Sequence, residues 1–480
     1  MYDYIIVGAG PTGLTLAWYL AKINKKILLI EAESVVGGCH RVRRVNRNGI
    51  NYFTEHGPRI YLSNYFSLIQ LLKEMNVNFY DLFTPYDFGV NIPAQQIMSE
   101  ITPREFVIFA YEFIKFGIND SESKQTSVLE FLQKNNFSDQ MIKTIDRICR
   151  LTDGGTIEKY TLFEFFQVIN QNFFYRTYQP KKPNDIALFK IWVDKLRQTS
   201  NVDILLNTTI TKIIFNQNGS IAAVTDSKTL YTATRYIFTI PPVPFAKVLE
   251  NSANPNIFGN INKLKEWATN TRYFTYIPIT FHWTNAAKVE KVWGSTASDW
   301  GIIFIILSDY MTFTESKTVI ITSVTLADQR SAYTGKTANE SSEKELIEET
   351  FRQLRLYHPN LTNPNVSLIS PGIFRKNNKW DTVDVPFVLT KSGYFPEIQY
   401  KNLYWIGTHS GLSNYNFTAM ESAMENATSL LRQIEPGLKN LPKYRIISVW
   451  SVFALIVFII AIITIIFFLY KYNNGFANTK

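Results

Sequence analysis

The sequence predicts an α/β protein of more than one domain, begun by a parallel βαβ unit and ended by an apolar helix. Three observations carry that prediction. Residues 1–31 read as strand, glycine turn, helix, strand and acid. The 480 residues, 46% of them hydrophobic with 35 Phe and 26 Tyr, exceed one ordinary domain and support large cores. The 25 residues between Arg445 and Lys471 carry no charge.

In the first unit, Tyr4-Ile5-Ile6-Val7 is an apolar β-branched run and Gly8-Ala9-Gly10-Pro11-Thr12-Gly13 a glycine-rich turn. Leu14 to Ile23 is helix-like, and Ile27–Ile30 is a second apolar run ending in Glu31. The three glycines differ in what they permit. Gly8 makes the tight turn, Gly10 admits a pyrophosphate to the backbone, and Gly13 lets the helix pack close to the strand. The positive end of the helix faces the phosphates. Glu31 follows Gly8 by 23 residues, near the spacing of about 20 at which an acid accepts hydrogen bonds from a ribose. The unit is therefore a Rossmann-like dinucleotide site that serves NAD and FAD equally. The alternative is a glycine turn in an α/β unit that binds nothing.

Composition excludes several classes. The net charge of +9 is moderate and scattered, without the clustered basic face of a nucleic-acid binder. Two cysteines, Cys39 and Cys149, imply a reduced, cytosol-facing protein without a disulfide framework. The five histidines, His40, His56, His282, His358 and His409, show no metal-ligand spacing, and no Ser/His/Asp constellation is visible. No metal is expected. The N-terminus reads as the first strand itself, so no signal peptide is expected.

Further along, Gly37-Gly38 before Cys39-His40-Arg41 lets a loop pass close to a bound cofactor, with Arg41 available for its phosphates. Gly49–Phe53 reads as a strand leading into Glu55-His56-Gly57-Pro58-Arg59, where Gly57-Pro58 marks a turn. Residues 65–75 are helical, with Leu68, Leu71, Leu72 and Met75 on one face. Residues 86–199 are helix-rich, and Ser127 with Glu130 caps one of those helices. Val202 to Leu206, Ile210 to Phe215 and Ile221 to Val224 alternate with Asn and Gly turns as strands, leading to Arg235–Ile240 and the pair Pro241-Pro242. Residues 246–399 mix strands, such as 276–283, with a charged helix over 343–357. Asn402–Gly407 is an apolar strand ending in Gly, and Thr418 caps the helix that follows.

The glycine motif at the extreme N-terminus, Glu31 and the Gly37-Gly38 doublet together resemble the flavin amine oxidase superfamily. That group includes amine oxidases, protoporphyrinogen oxidases, phytoene desaturases and, more distantly, UDP-galactopyranose mutases. Glu55-His56-Gly57-Pro58-Arg59 is similar to the Glu-x-Gly-Pro-Arg of the protoporphyrinogen oxidases, and Tyr2–Gly8 is similar to the opening of the mutases. Gly407-Thr408-His409, then Met420-Glu421-Ser422-Ala423, resemble the family's closing Gly-Thr-Glu and Met-Glu-x-Ala, with His409 in place of the Glu.

The resemblance implies a glutathione-reductase-like two-part architecture. A discontinuous FAD-binding domain (1–85, 200–245 and 400–437) interleaves with an α+β substrate domain (86–199 and 246–399). It implies FAD held by Gly8, Gly10, Pro11, Thr12, Gly13, Glu31, Gly37, Gly38, Arg41, Gly57, Ile210, Gly407, Thr408, Ala419 and Met420, with the closing helix pointing at the flavin's O2/N1 edge. The family's tethering cysteine is missing, so the FAD is expected to be non-covalent. The lysine that amine-oxidising members carry on the strand matching 275–281 is absent, and Ala419 stands where their cage Tyr does.

Catalytic candidates are Arg59, His56 and His409. Arg59 either meets a substrate carboxylate or is a salt-bridged turn residue, and each histidine is either in the active site or structural. Trp380 with Pro386 resembles a family segment near the active site, a packed structural Trp being the alternative. The expected activity is hydride transfer from a substrate C–H, in an amine or similar small molecule, to flavin N5, with oxygen as acceptor. The alternatives are a protoporphyrinogen-oxidase-like or desaturase-like enzyme on a large apolar substrate, a mutase-like flavoenzyme, and a non-catalytic scaffold.

As a helix the uncharged run over 446–470 rises roughly 37 Å, against about 30 Å of hydrocarbon. Trp450 and Tyr470 sit where interfacial aromatics belong, and Lys443, Arg445 and Lys471 flank the run. A single-pass transmembrane helix with a short tail (471–480) is expected, anchoring the body to the lipid bilayer on its cytosolic side.

Overall fold

A computed structural model describes the chain except at residues 88–89, 272–275, 296, 385–386, 415–418, 443–448 and 478–480. The side chains of 90–94, 152–153, 171–174, 292–293, 295, 449–450, 452 and 467–477 also lie outside the description.

Strand β1 (Tyr2–Val7), helix α1 (Pro11–Lys22) and strand β2 (Ile27–Ile30) form the opening unit. Both strands are apolar and almost wholly buried, the pattern of parallel strands covered on two faces. β1 pairs in parallel with β2 on one side and with Ala233–Phe238 on the other, with Val7 opposite both Ile30 and Phe238. Val202–Leu205 extends the sheet beyond β2, and Leu403–Trp405 extends it beyond Ala233–Phe238. Gln399–Tyr400 closes the edge antiparallel. Distant stretches of sequence thus lie side by side in one sheet.

Each face of this sheet carries its own core. On one, α1 packs with α2 (Phe66–Glu74), the helix Leu188–Gln198 and the closing helix Met420–Ile434 around Leu16, Leu20, Leu68, Trp192 and Met424. On the other, a three-stranded meander (Lys212–Phe215, Ile221–Thr225, Leu230–Tyr231) and the helix Pro242–Glu250 cover Ile5, Tyr236, Phe238 and Trp405.

A second sheet centres on Ile277–Trp283 and Thr318–Val324, paired antiparallel and buried at every position. It meets the hairpin of β3 (Val42–Arg47) and β4 (Ile50–Glu55) through His282, whose Nε2 lies 2.9 Å from the Phe53 carbonyl and Nδ1 3.0 Å from Ser316 Oγ. His282 is thus a satisfied structural histidine. The helix-rich stretch contains Pro103–Ile118, Val128–Lys134, Asp139–Asp153 and Leu162–Phe174, packed around Phe131, Ile145 and Phe166. Ser127 and Glu130 form a reciprocal capping box.

Among the described residues no helix is long and apolar enough to cross a membrane. This corrects the expected transmembrane helix over 446–470, and with it the lipid-bilayer partner and the tail-anchored localisation. A helix does run over Val449–Ala477, but its continuous run of described side chains is 453–466. Lys443 and Arg445 lie outside the described residues, as do the side chains of Trp450, Tyr470 and Lys471.

Candidate cofactor and substrate site

The C-terminal ends of β1 and β2 form the floor of the site. Gly8 has φ +109°, and a Cβ there would sit 2.7 Å from Thr239 Oγ1. A Cβ on Gly13 would come within 2.0 Å of the Gly8 carbonyl oxygen, so α1 rests on the turn only because position 13 is glycine. Gly10 is the N-cap of α1 and offers no side-chain cap, and Pro11 occupies the first turn. The helix end thus keeps its positive pole for an anion. Thr12 turns its hydroxyl away, donating to the Ala423 carbonyl of the closing helix at 3.1 Å.

The doublet loop lies directly on this turn. Gly37 donates its amide to the Ala9 carbonyl at 2.8 Å, and a Cβ on Gly38 would approach Gly10 Cα to 3.1 Å. Gly37 and Gly38 have φ of +119° and +56°. The doublet therefore allows a close approach of backbone to backbone, and on its other side of Gly37 to the Phe189 ring.

Glu31 is buried. Oε2 accepts from the Ala9 amide at 2.8 Å, and Oε1 accepts from the Glu33 amide at 3.0 Å and from Arg41 Nη2 at 3.3 Å. A carboxylate has about four lone-pair sites, so capacity remains for a hydroxyl. The Thr208 amide donates to the Glu31 carbonyl at 2.9 Å, which brings the segment leading to buried Ile210 beside the acid.

A second group of residues gathers where the β3–β4 hairpin meets the other sheet. Arg59 Nε lies 3.5 Å from Glu55 Oε2, and its Nη1 lies 3.5 Å from His40 Nδ1. Gln179 donates to the Arg59 carbonyl. A Cβ on Gly57 would lie 3.3 Å from Ser323 Oγ and 3.8 Å from the Tyr276 ring, and the His56 ring meets Tyr276 edge-on with centroids 6.2 Å apart. Among the described residues Arg59 Nε and Nη2, His56 Nδ1, Gln179 Oε1 and Ser323 Oγ are buried without a hydrogen-bond partner. Such atoms call for a bound polar group.

Burial sets the protonation states here. It pushes the Glu55 carboxyl up to about 7 against the pull of Arg59. Burial, then Arg59 and Arg43, lower His56 to about 3, and burial with Arg59 and His56 lowers His40 well below the ordinary imidazole value. Both imidazoles are neutral at pH 7.

The closing motif is divided. Gly407 and Thr408 follow Leu403–Trp405 at the same end of the sheet as Gly8. His409 is not brought to Arg59 and His56. Its ring stacks on Trp405 with centroids 4.2 Å apart and contacts Phe387, and burial lowers it to about 3. The closing helix begins at Met420 with Ala419 as N-cap and no side-chain cap, and Thr418 lies outside the described residues. Glu421, in its first turn, is buried and accepts from the Ser67 and Leu68 amides of α2 at 2.6 and 3.2 Å, and burial raises it to about 8.

Trp380 donates its indole N–H to the Ala338 carbonyl at 2.9 Å and carries Arg375 over its ring; Pro386 lies outside the described residues. Among the described residues neither Cys39 nor Cys149 is in a disulfide. Among the described residues no group of three or more His, Cys, Asp or Glu side chains could hold a metal ion.

Sequence reasoning missed Gln179, Ser323, Arg43 and Asp384, whose Oδ2 accepts from Arg43 Nη1 at 3.0 Å. Only Arg43 carried a readable signal, since it shares a face with Arg41 at the two-residue strand period.

Known proteins resemble this chain in sequence pattern and in fold. The model of a family described as flavin containing amine oxidoreductase matches residues 11–429. A solved structure of putrescine oxidase bound to putrescine superposes with a TM-score of 0.64 at 14% identity, covering 90% of this chain and 98% of that one. A protein from Exiguobacterium assigned as a protoporphyrinogen oxidase superposes with a TM-score of 0.60 at 15% identity, covering 91% and 99%. At these identities the likeness is one of fold. UDP-galactopyranose mutase from Mycoplasma genitalium is 33% identical over 101 residues, a match covering 18% of this chain and 24% of the mutase. The chain thus matches about a quarter of that relative's length.

Proposed function

Because the chain belongs to the flavin-containing amine oxidoreductase family, and is thereby an FAD-dependent oxidoreductase, we propose that it holds FAD non-covalently over the Gly8–Gly13 turn. In this reading it takes a hydride from a substrate C–H next to nitrogen, or similarly activated, and passes the electrons to oxygen. The observation that supports this most is the meeting of the Gly8–Gly13 turn, the Gly37-Gly38 loop, Glu31 and Arg41 in one place. When bound, the flavin supplies the hydride acceptor.

This chain's residues would hold the cofactor as follows. The uncapped α1 terminus, Gly10, Pro11, Thr12 and Arg41 face the diphosphate. Glu31 takes the ribose, and the backbone at Ile210 meets the adenine. Gly57, Gly407, Thr408, Ala419 and Met420 border the ring. Non-covalent binding is supported by the thiols: Cys149 is buried in the helical core, and burial pushes the Cys39 thiol up to about 11, leaving little thiolate.

Substrate would lie against Arg59, His56, Gln179 and Ser323. An imidazole at about 3 cannot deprotonate an alkylammonium near 10, since the roughly seven-unit gap costs about 9–10 kcal/mol. His56 Nδ1 therefore orients a hydrogen-bonding group of the substrate and does not serve as its base. Arg59 repels an ammonium, so an amine substrate must bind neutral.

Arg59 Nη2, buried without a hydrogen-bond partner among the described residues, favours a second reading, in which a large apolar substrate presents a carboxylate to Arg59, as a protoporphyrinogen-oxidase-like or desaturase-like activity would require. Burial, which raises the Glu55 carboxyl to about 7, weakens its neutralisation of that guanidinium.

The test is the visible spectrum of the purified full chain. Paired bands near roughly 375 and 450 nm, typical of oxidised flavin, are expected, released on denaturation; a colourless protein overturns the reading. Peroxide formation with a panel of amines supports the first reading, and peroxide with porphyrinogen supports the second. Bleaching that persists in air refutes oxygen as acceptor and turns attention to mutase-like chemistry. Arg59→Gln should raise KM for a carboxylate-bearing substrate at least tenfold while leaving amine turnover within about twofold, from the loss of one charge-assisted pair.

A further inference from the structure

We propose that Asp384 is a positioning residue for cofactor binding, holding Arg41 and Arg43 in place behind the cofactor's diphosphate. The inference rests on the flavin reading above.

Asp384 is only 6% exposed and lies more than 340 residues from the arginines it meets. Oδ2 accepts from Arg43 Nη1 at 3.0 Å, and Oδ1 lies 3.7 Å from Arg41 Nη1. One carboxylate thus spans two guanidiniums, Arg41 just before β3 and Arg43 on it. Glu33 lies 3.6 Å from each of the same two side chains but is considerably more exposed than Asp384. Gly372 makes room for the arrangement, because a Cβ there would come within 3.1 Å of Arg43 Cζ.

The pairing leaves two nitrogens short of a hydrogen bond, Arg43 Nη2 having only the 3.6 Å ion pair with Glu33. Arg41 Nε and Arg43 Nη2 are buried without a hydrogen-bond partner among the described residues. Buried guanidinium N–H groups without a hydrogen-bond partner suit the oxygens of a diphosphate.

Arg41 also has a competing partner. Its Nη2 already touches Glu31 Oε1 at 3.3 Å. Without Asp384, Arg41 has only Glu31 and Glu33 to pair with, and closing on Glu31 would consume the ribose acceptor and the phosphate donor together. Asp384, 3.7 Å from Arg41 Nη1, shares that guanidinium with Glu31, which keeps only the single contact through Nη2 at 3.3 Å. Since Asp384 follows the hairpin Ile373–Lys376 and Lys379–Thr382, cofactor affinity is tied to seating of that hairpin.

The test is Asp384→Asn in the full chain, with FAD affinity measured by fluorescence titration of protein stripped of flavin. A control is Asp185→Asn, which breaks the Arg44 pair on the same strand (2.9 and 3.0 Å) away from the site. Asp384→Asn should weaken FAD binding at least tenfold, Asp384→Glu should restore most of it, and Asp185→Asn should change it less than twofold. Affinity that is unchanged or tighter in Asp384→Asn overturns the proposal, as does an equal loss in both variants. If Asp384→Asn fails to fold, Arg43→Gln decides: FAD bound as tightly as by the unmutated chain overturns the proposal. Wild-type protein that binds no flavin sinks the parent reading instead.

Discussion

Replacing Gly13 with alanine sets two opposite effects against each other. Alanine is the better helix former by about 1 kcal/mol, so on propensity alone the change stabilises α1. The packing says otherwise. The added Cβ would stand 2.0 Å from the Gly8 carbonyl oxygen and 3.0 Å from Thr239 Oγ1. The first of these is backbone fixed by the Gly8 amide bond to Ile30 at 2.7 Å. Relief requires α1 to lift by more than an ångström, yet α1 is held from behind by the bond from Thr12 to the closing helix. Overpacking of this kind costs about 1–3 kcal/mol or more, and here the upper end applies because neither neighbour can yield. The net expectation is a loss of about 2 kcal/mol, a fall of several degrees in Tm, with weaker flavin retention. Urea unfolding and flavin content of Gly13→Ala measure both. A variant as stable as its parent, with full flavin, would refute the close packing of helix on turn.

Two pH dependences follow. Burial holds His409 at about 3 in the fold against about 6.5 unfolded, so its stabilising contribution is present above pH 6.5 and lost as pH falls towards 3. His409→Phe, which keeps the stack on Trp405, should flatten the stability-versus-pH slope in that window by about 1.4 kcal/mol per unit; an unchanged slope is the contrary result. Glu421 has the opposite sign. Raised to about 8 from 4.5, it contributes most below pH 4.5 and loses that contribution as pH rises through 8. Glu421→Gln should remove this loss, and denaturant midpoints at pH 5 and 8.5 that fall as steeply as before would exclude the assignment.

The first sixty residues were legible because their chemistry is local. Glycines at fixed spacing, an apolar run and an acid are determined by neighbours a few positions away, and the structure draws Gly8, Glu31, Gly37 and Arg41 together through contacts of that range. The strand content of 202–238 and 403–405 was readable from alternation and turns, but the order of strands was not, since pairing of β1 with Ala233–Phe238 is settled by tertiary burial. Asp384 was invisible for the same reason: a lone acid after a strand has no local signature, and only folding sets it between two arginines. The setting of His409 was not readable, because position in a motif says nothing of rotamer and only the fold brings its ring onto Trp405. At the C-terminus, absence of charge over 446–470 implied a span that no described helix provides.

The strand order also has a consequence for synthesis. β1 emerges well before its partner Ala233–Phe238, which lies 231 residues later. At about 5–20 residues per second, the edge of the nascent opening unit waits roughly ten to fifty seconds for that partner. During that interval Ile5 and Val7, both buried in the finished protein, face water or a chaperone. Such an apolar strand with a bare edge is an aggregation hazard, and yield on expression should depend on holdase supply more than final stability suggests.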